Sequence, residues 1–134
     1  MNKKIYLIDT NVILRHILAD HSELSPKAKI FMDKIKEGTA KAKITEGVLV
    51  ECVYVLLKVY KVPEEEIADE LINILEYIGI TDENKSIYIE ALKNFANNKI
   101  DIVDNILSAS ASGENAVISF DKDFRKLNGN VEFL

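Results

Sequence analysis

The chain has 134 residues, 48% hydrophobic and 29% charged, which suits a single globular domain, 1–134, with a buried core. No apolar run nears the roughly 20 residues that span a bilayer, and the first apolar stretch is interrupted too soon for a secretion signal. Its one cysteine, Cys52, excludes an internal disulfide and a cysteine-based metal cluster, so the cytoplasm is the expected location.

Net charge is −5, which at first argues against a nucleic-acid partner. The distribution softens this. Residues 64–90 hold nine acids and one base, Lys85, leaving thirteen acids against sixteen bases elsewhere. The rest of the surface is therefore free to meet phosphate, while a solvated acidic helix accounts for 64–90.

After Met1, Asn2, Lys3 and Lys4, the apolar residues Ile5, Tyr6, Leu7 and Ile8 run straight into Asp9. A short continuous apolar run of this kind reads as a strand covered on both faces. A helix over 12–19 follows, carrying Val12, Ile13, His16 and Ile17. His16 and His21 read as surface or interface residues. Ser25 and Pro26 read as N-cap and first helical residue, and Gly38 as the C-cap. Residues 41–44 form a short strand, and Thr45 caps a helix over 46–60 that is apolar nearly all round and so buried.

Pro63 opens a helix with Glu64, Glu65 and Glu66 in its first turn, where the dipole favours anions. Its stripe is Ile67, Leu71, Ile74, Leu75 and Ile78. Residues 80–81 read as a short strand, and 85–97 and 101–112 as helices. Val117 to Ser119 is a strand running into Phe120 and Asp121, followed by a helical turn at 122–127 and a last strand at 131–133. Alternating strands and helices predict an α/β fold with a mainly parallel sheet.

Four principal carboxylates, Asp9, Glu51, Asp104 and Asp121, sit among apolar residues, with Asp101 beside Asp104. Asp9 and Asp121 each end a strand, at the sheet edge where α/β folds bind ligands. Glu51 is the one charge in residues 48–57, with no Lys or Arg at helical spacing. It is expected to be buried, with a partner remote in sequence. Asp101 and Asp104 share a helical face. Helix capping alone accounts for Asp9 or Asp101, a dipole role for Asp104, and a buried ion pair for Glu51. Together, four acids from separate elements in one pocket would repel unless a hard cation sat among them. All-oxygen ligands favour Mg²⁺ or Mn²⁺, and such a site suits phosphoryl transfer to water.

With these residues in view, the chain resembles PIN-domain ribonucleases of the VapC toxin type. The resemblance is carried by Ile8, Asp9, Thr10, Asn11, Val12, Ile13 and Leu14; by Glu51 between Val50 and Cys52; by Asp101 to Leu107 with Ala109 and Ala111; and by Ser119 to Phe124. The principal acids are spaced by 42, 53 and 17 residues, in order over nearly the whole length. The resemblance implies a three-layer sandwich, its parallel central sheet of four to five strands flanked by helices. It implies a Mg²⁺ or Mn²⁺ site, RNA as substrate, a small antitoxin partner and a homodimer. It makes Asp9, Glu51, Asp104 and Asp121 the catalytic cluster, with Asp9, Asp104 and Asp121 on the metal. Asn11, Ser119 and Asp101 would support them, and Arg15, Lys122 and Arg125 are candidate phosphate contacts. Ser119 stands where the family usually has threonine, and Asn105 where it has a small apolar residue.

Two other readings remain in play. One is a non-catalytic PIN-like module that binds RNA or protein. The other is a phosphatase of the haloacid-dehalogenase type, which ranks last because Asn11 stands where its second aspartate belongs.

Overall fold

The computed structural model describes residues 4–134, so Met1, Asn2 and Lys3 of the N-terminal run lie outside the described residues. In chain order the elements are β1 (Ile5–Leu7), α1 (Thr10–Leu18), α2 (Leu24–Glu37), β2 (Lys41–Lys43), α3 (Glu46–Tyr54), α4 (Glu64–Leu75), α5 (Lys85–Asn98), α6 (Ile102–Ser110), β3 (Val117–Ser119) and β4 (Val131–Phe133). A π-helical turn, Val55–Val59, prolongs α3, and a 3₁₀ turn, Lys122–Lys126, links β3 to β4. No helix among the described residues is long and apolar enough to cross a membrane.

The pairing is parallel, as alternation predicts. β1 lies against β2 with Ile5 opposite Lys41, and β3 against β4 with Ser119 opposite Phe133. The expected single sheet of four to five strands, and with it the sandwich built on one sheet, is not what the hydrogen bonds draw. They give two separate two-stranded sheets. The predicted strand at 80–81 is a single bridge from Ile80 to Ala42. Three-residue strands form few ladder bonds, and strand partners are set by contacts distant in sequence. Two strand side chains are exposed and apolar, Leu7 of β1 at 70% and Ile118 of β3 at 61%.

Most of the helices pack around one large core, with Ile13, Met32, Ile35, Leu49, Leu56, Leu71 and Leu92 fully enclosed. A second, small core of Ala111, Val117 and Phe124 supports the C-terminal strands. Gly79 sits so close under the end of α2 that a Cβ there would strike the Ala40 carbonyl oxygen.

Two local expectations change. The α2 helix begins at Leu24, ahead of Ser25. Its first amides are met by His21, whose Nδ1 accepts from the Glu23 and Leu24 N–H groups at 3.2 and 2.9 Å. Ser25 instead accepts from the His21 N–H at 3.1 Å. Ile78 is 75% exposed, because α4 ends at Leu75 and the turn that follows points Tyr77 inward in its place. Asn105, the unexpected polar residue in α6, is 1% exposed and fully used. Its amide exchanges hydrogen bonds with Asn98 at 2.8 and 3.2 Å and donates to the Ile100 carbonyl at 3.0 Å.

Candidate active site

Asp9 leaves β1 in extended conformation and caps α1, its Oδ1 accepting the Thr10 N–H at 2.9 Å. Thr10 is buried and donates its hydroxyl to Glu51 Oε1, which ties α1 to α3. Glu51 itself is exposed, against expectation. The α3 segment buries Leu49, Cys52, Val53 and Leu56, an i, i+3, i+4, i+7 stripe, and Glu51 lies off it.

One turn beyond Glu51, Tyr54 donates its hydroxyl to Asp101 Oδ1 at 2.8 Å. The same oxygen caps α6 through the Val103 N–H at 2.9 Å. Asp104, half-buried in the first turn of α6, has its carboxyl pKa raised above the ordinary range. Burial is the main cause, and the charges of Asp101, Asp121 and Asp123 add to it. Asp121 caps the 3₁₀ turn by accepting the Asp123 N–H at 2.8 Å, while its own N–H donates to Ser119 Oγ at 2.9 Å. The capping roles foreseen for Asp9 and Asp101 are therefore real, and Asp121 shares this role. Each cap occupies one carboxylate oxygen.

The electrostatic neighbourhoods form two groups. Burial pushes the Cys52 thiol up to about 12, with the charges of Glu51 and Asp9 contributing, so it is protonated and supplies no thiolate. Tyr54 is likewise pushed up to about 12 by burial, its bond to Asp101, and the charges of Asp101 and Asp104. One turn of α3 thus links the Asp9 and Glu51 side to the Asp101, Asp104 and Asp121 side. Among the described residues none of Asp9, Glu51, Asp104 and Asp121 forms an ion pair, whereas Asp123 pairs with Lys126 at 3.4 Å. The acids are not drawn into one ready-made ligand set: among the described residues no three His, Cys, Asp or Glu side chains stand close enough to hold a metal ion. In chemistry the donors still fit a hard divalent cation, being all oxygen, uncompensated by base, and mutually repulsive at Asp104.

The remaining candidates divide. Asn11 lines a mainly apolar groove of about 300 Å³ between α1 and α2, and its side chain makes no hydrogen bond to Asp9 or to any other described residue. Arg15 is engaged within the fold, donating to Asp20 at 2.6 Å and to the Tyr60 hydroxyl at 2.9 Å, and is 13% exposed. Lys122 and Arg125 are exposed, with their cations 4.3 and 5.3 Å from the centroid of the Phe133 ring. Two residues escaped the sequence reading as site members: Thr10, which holds Glu51, and Tyr54, which holds Asp101. Tyr54 carried a usable signal, a polar-tipped ring three residues after a lone glutamate and so on its helical face.

A comparison with family models matches residues 6–130 to the PIN domain. A curated VapC ribonuclease of Aquifex aeolicus (strain VF5) is 29% identical over 123 residues, covering 90% of each chain.

Proposed function

This chain belongs to the PIN domain family, and on that premise we propose that it is a Mg²⁺- or Mn²⁺-dependent endoribonuclease acting as the toxin of a toxin–antitoxin pair. The observation that carries the reading is that Asp9, Glu51, Asp104 and Asp121 have no ion pair among the described residues, with half-buried Asp104 raised first by burial and then by the charges of Asp101, Asp121 and Asp123. The similarity to a protein named VapC ribonuclease gives the reading its substrate class, RNA.

The divalent cation, held by Asp9, Asp104 and Asp121, would supply a more acidic water and neutralise charge on the phosphodiester. The chain's own groups do the rest. Glu51 has one oxygen fixed by Thr10, leaving the other to take a proton from the attacking water. Tyr54 steadies Asp101 beside Asp104, and Ser119 orients Asp121. In this proposal the carboxyl ends of β1 and β3 deliver Asp9 and Asp121 to one site. A small antitoxin and a second copy of the chain are the proposed protein partners.

The non-catalytic reading draws on one observation, the lack of a closed ligand set among the described residues. A cleavage assay separates the two. With labelled single-stranded RNA and Mg²⁺, wild type should cut, and Asp9→Asn should lose cutting by about 100-fold or more, the scale typical of losing a charge-stabilising group. Because asparagine caps helices as well as aspartate, the variant should melt within a few degrees of wild type. Undiminished cleavage by Asp9→Asn would remove the proposal, and a wild type that binds RNA without cutting it would favour the module.

A further inference from the structure

The residue just ahead of Asp121 is not explained by folding. Phe120 is 76% exposed, the most exposed large apolar side chain among the described residues. Its backbone is nonetheless fixed. Asp121 donates its N–H to Ser119 Oγ at 2.9 Å, and Asp121 Oδ1 accepts the Asp123 N–H at 2.8 Å, so Phe120 is presented from a pinned turn. It lies past Ser119, the last residue of β3, so strand pairing at that edge does not claim it.

A second feature lies in the same turn. Lys122 and Arg125 both rest on Phe133, at 4.3 and 5.3 Å from the ring centroid. That ring packs against the small C-terminal core. Neither cation pairs with a carboxylate among the described residues, although Lys126 beside them does. A ring face orients a cation and leaves its charge available to an anion. The turn therefore offers one bare aromatic face and two steadied positive charges within six residues, next to a site acid.

We propose that this turn is a footing for single-stranded RNA: Phe120 stacks on a base next to the cleaved bond, and Lys122 and Arg125, braced on Phe133, hold the backbone phosphates. A nucleotide matches both halves at once, with a π-face for the ring and an anion for the cations. An apolar protein surface would match the ring and leave two charges unpaired. The inference rests on the nuclease reading for the place of the cut, but RNA binding itself is measurable without cleavage.

The test is fluorescence anisotropy of a labelled ten-nucleotide single-stranded RNA with the full chain in EDTA, followed by cleavage assays in Mg²⁺. Phe120→Ala should weaken binding about tenfold, the share of one stacked base, and Phe120→Trp should restore it. The double variant Lys122→Ala with Arg125→Ala should flatten the dependence of log affinity on log salt by about 1.4, the share of two phosphate contacts on a single strand. Gel filtration and melting curves run alongside. Unchanged affinity and unchanged salt slope in these variants overturn the footing. So does a wild-type dimer that Phe120→Ala splits without loss of RNA affinity, which would assign the ring to a second copy. RNA binding that depends on Phe120 in a protein that never cuts would sink the nuclease reading and keep the footing. Mg²⁺-dependent cutting with Phe120-independent binding would do the reverse.

Discussion

Asp104 pairs a proposed role in the chemistry with a cost to the fold. Its folded pKa is raised by burial and by three neighbouring aspartates. A carboxyl raised in the fold contributes stability below its unfolded pKa and loses it as pH rises through the folded value, so at neutral pH its charge is a burden. Asp104→Asn removes that charge. It should raise the melting temperature at pH 7 by up to a few degrees while abolishing metal binding, an exchange of stability for function seen at strained sites. A calorimetric scan checks the sign: a variant that melts lower would mean the carboxylate is satisfied in the fold. Residues of this kind were legible in the sequence because a lone acid in an apolar run has few structural uses. The burial of Glu51 was misjudged, because an all-apolar helix hides its inward stripe. Leu49, Cys52, Val53 and Leu56 take the interior, and the acid is left facing out toward Thr10.

At the level of elements, the entry to α6 decides where two of the acids stand. Asn105 is enclosed and ties that helix to Asn98 and to the Ile100 carbonyl, just ahead of Asp101. Removing the amide by Asn105→Ala leaves these buried partners unsatisfied. It should cost about 1–3 kcal/mol in urea unfolding, and it should lower cleavage as well, because Asp101 and Asp104 lose their anchor. A loss within ±0.5 kcal/mol, the range of surface substitutions, would show that the network is redundant. Most element positions were legible from periodicity and caps, as with Thr45 before α3 and Gly38 after α2. What was missed needed contacts the pattern does not hold. His21 caps α2 from outside the helix, ahead of the expected Ser25. Strand order is set by partners far along the chain, so two paired ladders replace the expected single sheet.

For the whole molecule, acid should loosen the fold partly through His16, which is partly buried and bonds the Tyr77 hydroxyl at 3.2 Å, joining α1 to the turn after α4. Burial lowers its pKa from 6.5, with Lys29 and Lys36 acting in the same direction against Asp33. A lowered pKa means the unfolded chain takes the proton first. Stability is therefore full above about 6.5 and is lost as pH falls from there through the folded value. His16→Gln should melt with a smaller drop between pH 7 and pH 5.5 than wild type, and an equal drop would assign the acid sensitivity elsewhere. The larger claim is that acids supplied by β1, α6 and the turn after β3 meet over a single ion. Calorimetric titration of the metal-free protein with Mn²⁺ tests this directly, on wild type, Asp9→Asn and Asp121→Asn. The account predicts one saturable site in wild type that vanishes in both variants; no saturable binding, or a site that survives either substitution, would contradict it.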